Sequence, residues 1–185
     1  TIEEITVADD DGVWLTIRDA ALDWNRLALI RGRFSVNELT AAEIRIDRAP
    51  LPGPEQEDLP DAAATPFQLP ELPVAIELGE IRVDKLTLGA PLAGVAAELS
   101  VLGKLTLADG TLDSALDITR LDRPGDKVDL IAGFANETSQ ITLDMQVTED
   151  AGGLISTTLG IPDAPALKLT AAGEGPVTDF TADIA

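Results

Sequence analysis

The sequence predicts an all-β protein, a long and mostly antiparallel meander with one aliphatic face and one short helix. Three observations predict it. The chain alternates apolar and polar residues with period two, as in Ile141, Leu143, Met145 and Val147 with Thr142, Asp144, Gln146 and Thr148 between them. A strand points successive side chains to opposite faces, so this code makes one greasy face and one wet face. The same code recurs in Leu112, Ser114, Leu116 and Ile118, and in Val128, Leu130, Ala132 and Phe134. Short links rich in Gly and Asp join these runs, which makes sequential strands neighbours in space.

Taken in order, strands are expected at residues 4–8, 13–18, 34–38 and 42–48, with Asp11-Gly12 supplying the first tight turn. Residues 20–30 fit two patterns. Ala20, Leu22 and Trp24 alternate like a strand, whereas Ala20, Ala21, Trp24, Leu27 and Ala28 make a helical stripe between Asp19 and Gly32. Residues 49–73 break the alternation with seven prolines (Pro50, Pro52, Pro54, Pro60, Pro66, Pro70 and Pro73) and five acids, and no base. Proline cannot donate to a ladder and like charges repel, so this stretch reads as an extended loop, a linker or a partner-docking segment. Strands then resume at 74–78, 81–88, 95–101, 104–107, 111–120, 127–135, 140–148, 166–172 and 177–184, with Gly79 and Gly103 among the expected turns. One or two helical turns follow Asp150 as cap, with Leu154, Ile155 and Leu159 as their apolar stripe and Gly160 and Pro162 as their stop. The organisation is a first β segment (1–48), the loop (49–73) and a second β segment (74–185) continuing the same sheet. The start at Thr1 without Met, and the alternation that runs to Ile184, lead us to expect a segment of a longer chain, with any membrane anchor outside it.

Composition excludes several functions. With 33 acidic and 13 basic residues the net charge is −20, which repels nucleic acid and disfavours adsorption to anionic lipid through a basic patch. With no His and no Cys, the chain has no disulfide, ordinary zinc site, thiolate nucleophile or Ser-His-Asp triad. No stretch approaches the roughly 20 apolar residues that span a bilayer. Asp9-Asp10-Asp11-Gly12 lacks the alternating ligands and distal Glu of a calcium loop and reads as a hairpin turn. Asp113 and Asp117 share the polar face of one strand, where water screens them. Gly152-Gly153 has no following Lys and cannot serve as a phosphate cradle. Arg120 and Arg123 are expected to pair with acids at a strand end. Neither an enzyme nor a cofactor is expected.

The aliphatic face is what remains. It is either the core of an ordinary β-sandwich or a surface for something apolar. Aromatics make up only 3% of the chain, whereas sandwich cores rely on them as anchors. Strands such as 111–120 are also long, about 30 Å at roughly 3.3 Å per residue.

Several runs carry a resemblance. Residues 5–15 (Ile-Thr-Val-Ala-Asp-Asp-Asp-Gly-Val-Trp-Leu), Ala21-Leu22-Asp23-Trp24 and Ile44-Arg45-Ile46-Asp47-Arg48-Ala49-Pro50 are similar to the amino-terminal periplasmic region of the TamB family, and so are Leu69-Pro70-Glu71-Leu72-Pro73-Val74, Gly152-Gly153-Leu154-Ile155 and Gly173-Glu174-Gly175-Pro176. TamB-like proteins are inner-membrane subunits of the bacterial translocation and assembly module and are similar to AsmA-like bridge proteins. The resemblance implies an open, taco-like trough with an aliphatic inner face, and it favours strand over helix at residues 20–25. It implies a periplasmic segment of an envelope-spanning bridge, anchored to the inner membrane, that conducts phospholipid along the trough. The acyl chains would be lined by Val13, Leu15, Ile17, Ile81, Val83, Leu99, Val101, Leu116, Ile118, Leu143, Met145 and Val147. The full-length family partner is TamA, an outer-membrane barrel, which this membrane-proximal part should not itself contact. The alternative function is a chaperone-like scaffold for outer-membrane protein and autotransporter assembly, working by strand addition.

Overall fold

The computed structural model describes residues 1–51, 69–70 and 72–184. Ten strands lie in one sheet, and their order in space is their order in the chain. They are β1 (Ile2–Asp9), β2 (Gly12–Asn25), β3 (Arg33–Ile46), β4 (Ala75–Leu88), β5 (Ala97–Ala108), β6 (Thr111–Arg120), β7 (Lys127–Ala135), β8 (Gln140–Glu149), β9 (Leu167–Pro176) and β10 (Ala182–Ile184). Every neighbouring pair is antiparallel except β3 and β4. β1 and β10 are the two edges, so the sheet is open and all-β, as the alternation predicts. Two short helices, α1 (Ala90–Ala93) and α2 (Leu154–Thr158), and the 3₁₀ turns Arg26–Arg31 and Val177–Asp179 complete it.

Three pairs of expected strands are single strands. Residues 34–38 and 42–48 fall in β3, 74–78 and 81–88 in β4, and 95–101 and 104–107 in β5. In β3 the apolar positions are Phe34, Val36, Leu39, Ala41, Ile44 and Ile46, a spacing of two, three, two, three, two. β4 repeats that spacing in Ile76, Leu78, Ile81, Val83, Leu86 and Leu88, each beside its counterpart in β3. The extra residues fall where the β4–β5 register shifts, between Leu78 and Ile81 and between Val83 and Leu86. A bulge absorbs one residue without ending the strand, so a change of parity is not a break. Gly103 is no turn either. It stands in the aliphatic row of β5, between Ile81 and Leu116.

Parallel pairing of β3 and β4 needs a return across the full strand length. Its two described flanks lie at opposite ends of the strands. At one end Arg48 donates to Asp9 (Nη1 to Oδ2, 2.8 Å) beside the β1–β2 turn. At the other, Asn136 after β7 receives the Leu69 amide (2.8 Å) and donates to the Leu69 carbonyl (3.0 Å). The expected loop otherwise falls on 52–68 and 71, which lie outside the described residues.

The remaining differences have local causes. β2 continues to Asn25, the strand alternative for residues 20–25, and the helical stripe survives only as the six-residue 3₁₀ turn. The expected strand 177–184 is cut short because Pro176 has no amide to donate and a 3₁₀ turn follows it, leaving β10 three residues. Asp150 does not cap α2. The Glu149 carboxylate takes the Ile155 and Ser156 amides (2.8 and 2.7 Å), and Leu159 stays exposed beyond the helix.

Candidate functional site

Cross-strand partners share a face, so the register itself assembles the site. One row runs Ile5, Ile17, Ile44, Leu86, Leu99 across β1 to β5. A second runs Leu22, Leu39, Ile81, Gly103, Leu116, Leu130, Met145, Ala171 across β2 to β9. A third runs Ala41, Val83, Val101, Ile118, Val128, Val147, Leu169. Trp24, Val36, Leu78, Leu105, Ser114, Ala132 and Leu143 form a fourth, to which the Trp24 and Phe34 rings add a tilted contact at 5.6 Å. These rows run perpendicular to the strands. At about 4.8 Å per strand, the longest row crosses eight strands, β2 to β9, and gives a continuous apolar path of roughly 34 Å.

Eleven of the twelve lining residues expected from sequence stand in these rows or beside them: Leu15 pairs with Ile46 one row further out, and Leu143 and Val147 flank Met145 on β8. Val13 is the outlier, exposed at the β1–β2 turn opposite Ala8. Leu39, Ala41, Ile44 and Leu86 were missed because bulges hide their parity. The identical spacing of β3 and β4 was the signal that could have found them.

Between β1 and β4 the face is concave, enclosing about 450 Å³. Ile2, Ile5, Ile17, Leu22, Leu39, Ala41, Ile44, Ile81 and Val83 line it, and the polar residues bordering it are Thr1, Thr40 and Arg82. No second sheet covers the aliphatic face among the described residues. A smaller hollow of about 230 Å³ lies under α2, where Leu154 and Ile155 approach Leu99, Ile118 and Val128. There α1 and α2 meet, with the Thr158 hydroxyl donating to the Ala93 carbonyl at 3.1 Å.

Among the described residues, buried charge is confined to the rim beneath α2. Arg120 donates through Nε and Nη2 to Asp122 (2.9 and 3.0 Å), through Nη2 to the Ala96 carbonyl (3.2 Å) and through Nη1 to Asp126 (3.4 Å). The Arg120 guanidinium holds the Asp122 carboxyl below the usual carboxylate range. The network is satisfied, as buried polar groups require.

The opposite face is charged. Arg18 pairs with Glu4 and Glu43 (3.0 Å each), and Lys85 also reaches Glu43 at 3.0 Å. Hydrogen bonds from Lys85, then Arg18, hold the Glu43 carboxyl below its ordinary value. Lys127 bridges Asp117 (2.8 Å) and Asp129 (2.9 Å), which depresses the Asp117 carboxyl. Such exposed pairs add little stability, but they keep this face in water. Asp9 is spent on structure: it receives Arg48 and the Leu51 amide, which together hold its carboxyl far below the usual range.

Comparison of the chain with protein-family models, curated proteins and solved structures finds no match. Among the described residues, no helix is long and apolar enough to cross a membrane.

Proposed function

We propose that this chain is a periplasmic segment of an envelope-spanning bridge of the TamB-like and AsmA-like kind, conducting phospholipid between the inner and outer membranes along the aliphatic groove. The observation that supports this reading is an apolar path kept in register from β2 to β9, concave at one end and uncovered by a second sheet. Drawing an acyl chain through water costs about 0.8 kcal/mol per CH₂, roughly 13 kcal/mol for sixteen carbons. A groove that offers aliphatic contact at every step removes most of that barrier, while the charged outer face stays wet. The membrane anchor and a TamA-like barrel partner would belong to the full-length protein.

Photo-crosslinking tests the reading. Crosslinkers at Leu116, Ile118, Leu143, Met145 and Val147 are expected to capture phospholipid in cells, and those at Thr142 and Gln146 are not. Equal labelling of both faces would sink the proposal. A scaffold acting by strand addition would instead protect the free edge of β1 when peptide is supplied, with no lipid extracted from the purified segment.

A further inference from the structure

The strongest exposed feature outside the groove is the tip that joins β2 to β3. Residues 24–34 carry Arg26, Arg31 and Arg33, three of the chain's 13 basic residues, and no acid, in a protein of net charge −20. The tip also shows the most exposed large apolar side chains described: Ile30 at 83% and Leu27 at 72%, with Leu29 at 42%. Its shape is fixed. Asn25 caps the 3₁₀ turn by accepting the Leu27 amide at 3.1 Å, and Gly32 closes it in the left-handed region (φ 70°), where a side chain would be strained. Ala28 is buried as the anchor, which turns Leu27 and Ile30 outward. Arg26 lies over the Trp24 ring, 6.0 Å from its centre. Arg33 shares its charge with Glu77 at 3.8 Å, while Arg26 and Arg31 have no ion pair among the described residues.

We infer that this tip docks on an anionic phospholipid surface, with Leu27 and Ile30 entering the interfacial layer and Arg26 and Arg31 meeting lipid phosphates. Isolated exposed aliphatics are ordinary, but a rigid cluster of them beside three arginines, with a Trp behind it, matches the chemistry of a membrane interface. The −20 overall does not oppose this at contact, because screening at about 0.1 M salt limits interactions to roughly 10 Å, and the acid paired at the tip, Glu77, is matched by Arg33, which leaves Arg26 and Arg31 in excess. Docking would set this end of the strands, where Trp24 and Phe34 begin their groove row, against the bilayer. The inference stands apart from lipid conduction, since it concerns the tip and not the groove.

Vesicle flotation of the whole chain tests it. Binding to phosphatidylcholine vesicles containing phosphatidylglycerol is expected, and at least tenfold weaker binding to phosphatidylcholine alone. Arg26→Gln with Arg31→Gln should weaken binding about 25-fold, taking about fivefold per arginine near such a surface. Leu27→Ser with Ile30→Ser should weaken it at least tenfold, with circular dichroism unchanged because these side chains are mostly exposed. Leu159→Ser, an exposed aliphatic at the opposite end of the strands, should leave flotation as it was. Absence of binding, equal binding to both vesicles, or binding retained in either tip variant would overturn the inference. So would a dimer in sedimentation velocity that Ile30→Ser disperses, because the tip would then be a contact between copies.

Discussion

The region β1 to β4 and the region β5 to β9 are built from the same residue types and give different surfaces. In β5 to β9 the apolar residues alternate strictly, the ladders run without a register shift, and α2 sits over the Arg120 clamp at one rim. In β1 to β4 the ladders shift repeatedly, one pair is parallel, and the face folds into the 450 Å³ concavity. Bulges bend and twist the strands that carry them. The concavity is therefore written in the irregular spacing of the apolar residues and not in their composition. The concave stretch of the groove coincides with the imperfect pattern.

The largest contrast should appear on removing a charge from each region. Arg120→Ala leaves Asp126 buried with Arg123, at 3.9 Å, as its remaining cation and should cost about 3 kcal/mol in urea unfolding. Arg18→Ala, on the exposed ladder of β2, should leave the urea midpoint almost unchanged. Similar losses in the two variants would erase the distinction between clamp and screen.

Next come carboxylates placed in the groove. Val36 is 2% exposed, so Val36→Asp should cost several kcal/mol and unfold the chain. Leu22→Asp, at 48% exposed, should fold with a loss of about 1 kcal/mol, because the carboxylate reaches water. Leu143→Asp, half-buried on the straighter side, should also keep its β signal in circular dichroism while losing phospholipid capture. An unfolded Leu143→Asp would show that the β5–β9 face is a closed core and the groove is confined to β1–β4.

A smaller effect is expected in acid, and it should touch both regions. Asp9, Glu43, Asp117 and Asp122 all have carboxyls held below their ordinary values by partnered cations. The unfolded chain binds more protons than the folded one in that range, so stability rises with pH there. The contribution is fully present above about pH 4 and is lost as the pH falls through the depressed folded values. Denaturation midpoints at pH 3 and pH 6 check this. Asp9→Asn and Asp122→Asn should each narrow the gap between the two midpoints, and a gap unaltered in both would refute the assignment.

The smallest expected change belongs to the flank of the return. Asn136→Ala removes two hydrogen bonds to Leu69 and should cost about 1 kcal/mol by thermal unfolding. A change several times larger would mean that this flank carries more of the fold than its two bonds imply.

Much of this was legible along the chain. Alternation placed β6, β7 and β8 almost to the residue, and the Asp109-Gly110 link is the expected two-residue turn, with both residues at positive φ. The same parity put Leu116, Ile118, Leu143, Met145 and Val147 on one face. Legibility failed where one residue's effect depends on a distant partner. Glycine ends a strand in one setting and fills a groove row in another, and a side chain at Gly103 would press on the Ala115 carbonyl oxygen and Leu116, each 3.3 Å from its Cβ. Glu149 caps α2 in place of Asp150 because its carboxylate, at the end of β8, reaches the first amides of the helix.

By itself the sequence determined that the protein is a sheet with one aliphatic and one charged face, because a period of two acts residue by residue and needs no distant contact. It also determined the exclusions, since chemistry without His or Cys is fixed by composition alone. Only the tertiary structure decided that β3 and β4 run parallel, that their bulges hollow the groove, and that three arginines and two bare aliphatics share one tip. The first two depend on which strand lies beside which, and the third on a turn that buries Ala28 and leaves Leu27 and Ile30 bare. Pairing between residues far apart in the chain is set by the register of the whole sheet, which no local stretch of sequence contains.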